Sequence, residues 1–364
     1  MPSLPLPPLS ETSMGPSYVD PYIQSAYNSV LDAERRATGS DMDLMHARVI
    51  GFLMIALHDF RGTLKLSAIK QVSKGVRSPL TGQVDSAVYE LGEMYRVHLL
   101  RAFRKSKGSL PPPSQHPSRP SFTTLEDMLK DALDGSGKDH ESVKNRALAR
   151  DGFCCMLSGN YGYDRTSVSR LPELKQSALR MVTTNCCYIL SESTLQNVDP
   201  EDPECNDNRE YTGKVLSVLE SFGLGSLVRS VSTLNGIHHL SNVLTMSMQL
   251  HDLFDDLSLW LEGTGTPHEY NICVSDQLLM PSDIKERTVR FWVHVKDVDE
   301  ETLPLPDPAL LALHAACARA VNMSGAAEYM DKIDCDAEDL QVLAEDGSSS
   351  GILLEKMRSI AVFS

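Results

Sequence analysis

The chain has 364 residues, of which 41% are hydrophobic and 23% charged, and its formal net charge is −15. That length allows two or more domains, each with its own core, and the composition is typical of a globular protein. The acidic balance argues against a protein that coats nucleic acid, because phosphate binding depends on clustered Lys and Arg. Any contact with nucleic acid is therefore expected to be local.

The sequence also bears on the cellular compartment. No stretch approaches the roughly 18 apolar residues of a membrane helix, and the segment Met1–Leu9 lacks the basic and apolar regions of a secretory signal. The eight cysteines include two adjacent pairs, a pattern that does not resemble a secreted disulfide framework. We expect an intracellular protein, cytoplasmic or nuclear, with reduced thiols and no membrane segment.

The first part of the chain is predicted to be helical. Residues 1–17 are rich in proline and lack periodic hydrophobicity, which predicts a flexible lead. Apolar side chains then recur at spacings of three and four, which predicts a helical domain over 18–107. Its expected helices span 18–36, 42–60 and 84–104. A proline-rich linker over 108–122 follows.

The second part combines short strands with helices. Strands are expected over 152–157, 186–190, 259–262, 270–274 and 288–295. Helices are expected over 125–133, 140–150, 211–222, 246–257 and 309–322. This mixture predicts an α+β chain in which the helical domain is followed by a domain over 123–346, with a small antiparallel sheet and C-terminal helices, and then a tail over 347–364.

Three segments together carry a recognisable pattern. They are RDGFCCMLSG (Arg150–Gly159), TTNCCYILSEST (Thr183–Thr194) and NVLTMSMQLHDLFDDL (Asn242–Leu257). The order is a strand with Cys, a second strand, an Asn and a helix with His. This order resembles the fungal branch of the HNH endonuclease superfamily. The likeness covers most of residues 150–345 and implies a ββα-metal fold for the second domain.

The resemblance implies roles for three residues. Asn242 matches the family's asparagine, which braces the loop between strand and helix, and His251 matches the histidine that binds a divalent ion, Mg²⁺ or similar. Asp255 lies four residues after His251, so the two side chains share a helix face and are expected to bind the same ion. From the spacing alone, solvated surface charge is the favoured interpretation; the resemblance favours a metal site.

The sequence departs from the family at Tyr188, which stands where the catalytic histidine is expected. In the family that histidine is the general base that removes a proton from the attacking water. A phenol titrates near pH 10 and is a poor base at neutral pH. His238 and His239 precede Asn242 and are weak candidates to replace it.

The adjacent cysteine pairs have two interpretations. Cys154 and Cys155 lie on the first expected strand, and Cys186 and Cys187 lie on its partner, so two thiols that face each other could bind zinc. Because side chains alternate along a strand, at most two of these thiols point inward. Buried core cysteines are the favoured interpretation.

Three functional hypotheses follow. The first is a metal-dependent endonuclease that hydrolyses phosphodiesters, with His251 and Asp255 as metal ligands. The second is a pseudonuclease that has lost its general base at Tyr188 and acts as a binding module for nucleic acid or protein. The third is a fold recruited to small-molecule metabolism. The acidic charge favours the second and third hypotheses, and the resemblance favours the first.

Overall fold

The protein is described from a computed structural model. The structure describes residues 3–37, 39–77, 84–104, 140–162, 180–191, 194, 206–231 and 236–339. The expected helix over 125–133, the linker and the C-terminal tail lie outside these residues. The chain divides into two compact units, which interleave along the sequence: residues 1–110, 191–228 and 313–364 form the first, and residues 111–190 and 229–312 form the second.

The first unit is helical. Its helices are α1 (Pro21–Arg36), α2 (Asp41–Asp59), α3 (Arg61–Arg77), α4 (Val84–Met94), a π-helical segment (Tyr95–Leu100) and α5 (Arg101–Phe103). The later α7 (Asn206–Ser221), the first part of α8 (Gly225–Val231), most of α10 (Pro308–Ser324) and α11 (Ala326–Asp339) complete it. The expected helices over 18–36, 42–60 and 84–104 are confirmed, and α3 was not anticipated.

Helix α2 forms the centre of this unit. It is apolar on most sides, and its buried side chains include Val49, Ile50 and Leu53. Ser40 caps its first turn, because the side-chain oxygen accepts a hydrogen bond from the Asp43 N–H at 3.2 Å. Helices α1, α3 and α4 all pack against it. A helix that is apolar on most sides is expected in the middle of a bundle.

The proline-rich start of the chain is packed rather than extended into solvent. Residues 3–17 were expected to form a flexible lead. Instead, Met14 is fully buried and Leu6 is nearly so. The Tyr27 hydroxyl donates a hydrogen bond to the Pro7 carbonyl at 2.8 Å, and the Leu6 N–H donates to the Glu34 carboxylate at 3.1 Å. Isolated apolar side chains and backbone hydrogen bonds hold this segment, and neither leaves a periodic pattern in the sequence.

The second unit contains the strands. It begins with α6 (His140–Arg150), followed by β1 (Tyr161–Gly162), β2 (Met181–Val182), β3 (Thr184–Tyr188), β4 (Val243–Ser247) and α9 (Met248–Asp255). Strands β5 (Leu259–Gly263), β6 (Glu269–Val274) and β7 (Thr288–Arg290) then form an antiparallel sheet in that order. Together the two units confirm the α+β class.

Two local predictions for this unit need correction. The strand expected over 152–157 does not form: this segment consists of turns with an isolated bridge between Cys154 and Tyr161. Gly152 and Phe153 both have φ near +60°, which is incompatible with an extended strand. The helix expected from residue 246 begins at Met248, because Val243–Ser247 pair with β3 as a strand.

No helix among the described residues is both long and apolar enough to cross a membrane.

Buried His58 makes the stability of the first unit depend on pH. Its Nδ1 lies 2.8 Å from the Ser13 hydroxyl and 3.5 Å from the Arg61 guanidinium. Burial, and then the Arg61 charge, lower the pKa of His58 below its ordinary value of 6.5, against a smaller opposite effect of Asp59. The unfolded chain therefore takes up this proton at a higher pH than the folded chain.

We expect the free energy of unfolding to be highest above about pH 6.5 and to fall as the pH drops from there towards the lowered folded pKa of His58. Urea denaturation at several pH values between about 7.5 and 5 measures this slope. In His58→Gln the slope should be shallower. An identical slope in the variant and the wild type would contradict the assignment.

Candidate metal centre

The candidate site is built on an antiparallel strand pair that leads directly into a helix. Strands β3 and β4 pair in a register that sets Cys187 opposite Leu244 and Tyr188 opposite Val243. Strand β4 is buried at every position, and α9 starts at the next residue. The order of elements is therefore strand, strand, helix.

Arg150 holds this strand pair in place through buried hydrogen bonds. Its guanidinium has no exposed surface and donates hydrogen bonds to the carbonyls of Leu240, Val243 and Pro304 at 2.8–2.9 Å. It also forms a bidentate ion pair with Asp151, with contacts of 2.6 and 2.9 Å. A buried guanidinium is stable only when its charge and its donors are satisfied in this way. Two of the bonded carbonyls, those of Leu240 and Val243, flank the turn that precedes β4.

Asn242 lies in that turn and ties it to the end of β3. Its side chain is fully buried. Its Oδ1 accepts a hydrogen bond from the Leu190 N–H at 2.8 Å, and its Nδ2 donates to the carbonyls of Leu190 and Ile237, both at 3.1 Å. The side chain therefore acts as a brace between the residues that follow β3 and those that precede β4.

The alternation of side chains along β3 separates its residues into two groups. Cys186 belongs to a buried cluster with Val143 and Ala147, and Tyr188 packs against the same cluster. Cys187 is fully buried and points to the opposite face, as the two-residue period of a strand requires. Helix α9 packs on β3. Cys187 is therefore available to α9, whereas Cys186 and Tyr188 are not.

Cys187, His251 and Asp255 converge at this point. One ligand-type atom from each residue, the Cys187 Sγ, a His251 ring nitrogen and an Asp255 carboxylate oxygen, lies within 4.8 Å of the other two. The His251 Nε2 is 3.1 Å from the Asp255 Oδ2, and the Cys187 Sγ is 3.7 Å from the Asp255 Oδ1. The i, i+4 spacing on α9 brings the imidazole and the carboxylate together, as the sequence predicts. The side chains of His251 and Asp255 are 11% and 13% exposed, so the cluster reaches solvent on their side.

These three residues fit the requirements of a divalent ion. Thiolate, imidazole and carboxylate are the three ligand types found in protein zinc sites, and three protein ligands leave a further coordination position for substrate. The sulfur matters for the choice of ion, because thiolates favour Zn²⁺ and similar transition metals, whereas Mg²⁺ is held by oxygen ligands. We therefore expect a transition metal here rather than the Mg²⁺ that the sequence suggested.

Tyr188 contacts His238, which is not part of the cluster of Cys187, His251 and Asp255. The Tyr188 hydroxyl and the His238 Nδ1 are hydrogen-bonded at 2.7 Å, and the two rings meet edge to face with centroids 5.8 Å apart. His239, the other candidate to replace the family's base, caps the turn over Leu240–Asn242 and bonds the Ser241 hydroxyl at 2.8 Å. Of the two weak candidates from the sequence, His238 is thus the one that contacts Tyr188.

The predicted site residues thus divide into two places. His251 and Asp255 share one cluster, while Tyr188 and Asn242 lie along the adjoining ends of β3 and β4. Sequence reasoning missed Cys187 as a member of this cluster, because it compared Cys187 only with other cysteines. Among the described residues, no group of cysteines converges as a zinc site, and the six described cysteines form no disulfide. The missed signal was the alternation of β3 combined with the helix that follows β4.

Comparison of the chain with models of protein families, with curated proteins and with solved structures finds no match.

Asn242 offers a direct test of the brace. Asn242→Ala leaves the buried N–H and carbonyl of Leu190 and the Ile237 carbonyl without their partner, so we expect a loss of about 2–4 kcal/mol in the free energy of unfolding. Asn271→Ala is the matched control. Asn271 is exposed, and among the described residues its side-chain oxygen accepts one hydrogen bond, from the Thr288 hydroxyl, in an exposed position. Chemical denaturation measures both variants. Equal losses would show that Asn242 is not a brace.

Proposed function

We propose that the second unit is an HNH-type, metal-dependent hydrolase of phosphodiester bonds in nucleic acid, with Cys187, His251 and Asp255 as its metal ligands. The observation that carries this proposal is the convergence of these three side chains on a strand, strand, helix unit. Two of the three segments that carry the sequence resemblance to the HNH family, Thr183–Thr194 and Asn242–Leu257, supply these elements, whereas the described part of Arg150–Gly159 forms turns. The resemblance and the convergence of the three side chains together support this chemistry.

The ligands of the proposed ion are held by the fold rather than by loops. Cys187 lies within a paired strand, and His251 and Asp255 lie one turn apart on α9. A divalent ion bound by them would act as a Lewis acid that stabilises negative charge on a phosphate oxygen. The Cys187 thiol must lose its proton to serve as a ligand, so ion binding should weaken as the pH falls.

The exposed edge of the cluster is the side from which a phosphate would approach. His251 and Asp255 form that edge, since Cys187 is fully buried behind them. Asp252 lies on the same helix, Asp256 is its C-cap residue, and both add negative charge. Without a bound cation, this group of carboxylates repels phosphate, so substrate binding at the cluster is expected to depend on the ion.

The proposed hydrolysis also requires a general base that removes a proton from the attacking water. The family's general base would stand at position 188, where this chain has a tyrosine hydrogen-bonded to His238. General-base assistance contributes about 10²- to 10⁴-fold to a rate. We therefore propose that hydrolysis by this chain is slow.

Tyr188 also supports a second candidate function. A chain that keeps the metal cluster and lacks the base fits a pseudonuclease, which binds nucleic acid or a protein without turnover. The two candidates share the metal site and differ in whether wild-type protein cleaves its substrate at all.

The first prediction from this proposal concerns metal binding. We expect the wild-type chain to bind about one equivalent of Zn²⁺, and Cys187→Ser, His251→Ala and Asp255→Asn each to lower the affinity by more than about 100-fold, the upper end of what loss of an outer-shell partner costs. Asp252→Asn is the matched control, because Asp252 is exposed on the same helix outside the cluster. Calorimetric titration of metal-free protein measures all five proteins. Unchanged affinity in the three ligand variants would contradict the site.

The second prediction concerns cleavage. Wild-type protein with Zn²⁺, Mn²⁺ or Ni²⁺ should nick plasmid or cut single-stranded DNA slowly. Because the side chain of residue 188 leaves the face of β3 opposite Cys187, we expect Tyr188→His to raise the rate by less than the gain of about 10²- to 10⁴-fold that an aligned general base contributes. His251→Ala in the Tyr188→His background should abolish the gain.

The outcomes separate the two candidates. If the wild type is inert and Tyr188→His is active, the pseudonuclease is favoured. If both are inert in every metal while the protein still binds Zn²⁺, phosphodiester hydrolysis is the wrong chemistry for this cluster.

A further inference from the structure

A groove of about 940 Å³ lies in the second unit, between the turn that follows α6 and the segment that contains β7. Residues Cys154–Gly159 form one wall, and Thr288–Trp292 with His294 form the other. Asn242 and the cluster of Cys187, His251 and Asp255 do not line this groove. It shares a unit with the metal cluster, because the Met156 N–H in its wall donates to the Thr245 carbonyl of β4 at 2.8 Å.

The groove contains an exposed aromatic stack. Trp292 is 55% exposed, although it is one of the largest apolar side chains. Its ring stacks on that of His294 with centroids 4.7 Å apart and an angle of 29° between the planes. One face of the indole is thus covered by the imidazole, which fixes the orientation of the ring in the groove.

The backbone at Gly152 leaves room for the His294 ring. Gly152 has φ +63°, and a Cβ added there would lie 2.8 Å from the His294 Nδ1, so only glycine permits the ring to sit this close. The His294 N–H donates to the backbone carbonyl of Arg150 at 2.8 Å, which ties the stack to a residue whose side chain is fully buried. The aromatic platform is therefore preformed.

The charges along the groove are few and nearly balanced. Lys285 and Arg290 contribute positive charge, and Glu269 and Glu286 contribute negative charge. Asp151 also borders the groove, but its carboxylate is bonded to the Arg150 guanidinium. A groove with an exposed aromatic face and few positive charges favours a planar aromatic ligand over a chain of phosphates. Stacking on the ring face is the main favourable interaction, because the described residues place no cluster of Lys and Arg along this groove to bind phosphates.

We propose that this groove binds single-stranded nucleic acid by stacking an unpaired base on Trp292, with Lys285 and Arg290 contacting the adjoining phosphates. The proposal rests on the proposed function, which supplies nucleic acid as the substrate class, and narrows it to unpaired strands. In a duplex the faces of the bases are already stacked on each other, so an indole platform cannot reach them without extrusion of a base.

Fluorescence gives a direct test, because the chain has two tryptophans. Trp260 is 9% exposed and its Nε1–H donates to the Glu262 carboxylate, so Trp260→Phe leaves Trp292 as the sole reporter. Metal-free protein is titrated with an oligothymidylate of about 12 nucleotides, a length within the usual range of single-strand sites. We expect the oligomer to quench the Trp292 emission, and an abasic oligomer of the same length and charge to leave it nearly unchanged.

Affinity measurements complete the test in the otherwise wild-type chain, by anisotropy of a labelled oligothymidylate. Trp292→Ala should weaken binding by about 5- to 150-fold, the range found for loss of one base stack, and Trp292→Phe should retain most of the affinity. With two cations involved, raising the salt from about 50 to 200 mM should weaken binding by about sevenfold. Tyr18→Ala is the control, because Tyr18 is an exposed aromatic residue of the first unit.

The contradictory outcomes are distinct. Equal quenching by the abasic oligomer, equal affinity for duplex DNA, or unchanged affinity in Trp292→Ala would each overturn the stacking site. The His251→Ala variant separates this inference from the proposed function. It should lose metal binding and cleavage and keep the quenching. Absence of cleavage by the wild type and by Tyr188→His in every metal, with intact quenching, would refute the hydrolase and leave the stacking site in place.

Discussion

The unit formed by β3, β4 and α9 depends on one buried ion pair, that of Arg150 with Asp151. The Arg150 guanidinium satisfies three backbone carbonyls and pairs with Asp151 in a region that water does not reach. Two of those carbonyls, from Leu240 and Val243, flank Asn242, so the ion pair fixes where β4 begins. The backbone carbonyl of Arg150 also receives the His294 N–H, which holds the aromatic stack of the groove. A single residue thus positions the strand pair on one side and the groove on the other.

The register of β4 against β3 then decides which side chains meet. With Tyr188 opposite Val243, the chain leaves β4 at Ser247, opposite Thr184, and α9 packs on β3 so that Asp255 meets Cys187. A shift of one residue in this pairing would turn Cys187 away from the helix and bring Cys186 or Tyr188 to it, because side chains alternate along a strand. Asn242 opposes such a shift through its three hydrogen bonds to Leu190 and Ile237. The geometry of the candidate metal site is therefore a consequence of buried polar contacts outside it.

Sequence reasoning recovered much of this arrangement where the signal is local. The apolar periodicity of α2 and the i, i+4 spacing of His251 and Asp255 are properties of one helix, and both agree with the structure. The partnership of Cys187 with α9 is not local, since it depends on strand register and on a helix more than sixty residues away. The turn at Gly152 and Phe153 was predicted as a strand because its apolar residues fit one. Gly152 and Phe153 have positive φ angles instead, and Gly152 lies against His294, a contact with a distant part of the chain that the segment itself does not reveal.

We propose that the Cys187 thiolate, the His251 imidazole and the Asp255 carboxylate bind the same divalent ion. Cobalt substitution is a direct test of this ligand set. Co²⁺ bound by Cys187 should give a sulfur-to-metal charge-transfer band in the near ultraviolet, together with the visible bands of a low-coordinate ion. Cys187→Ser should abolish the charge-transfer band, and His251→Ala or Asp255→Asn should weaken or displace the visible bands. Cys186→Ser, whose side chain lies on the other face of β3, should leave the spectrum unchanged. A spectrum without the sulfur band, or one that Cys187→Ser does not alter, would contradict the account.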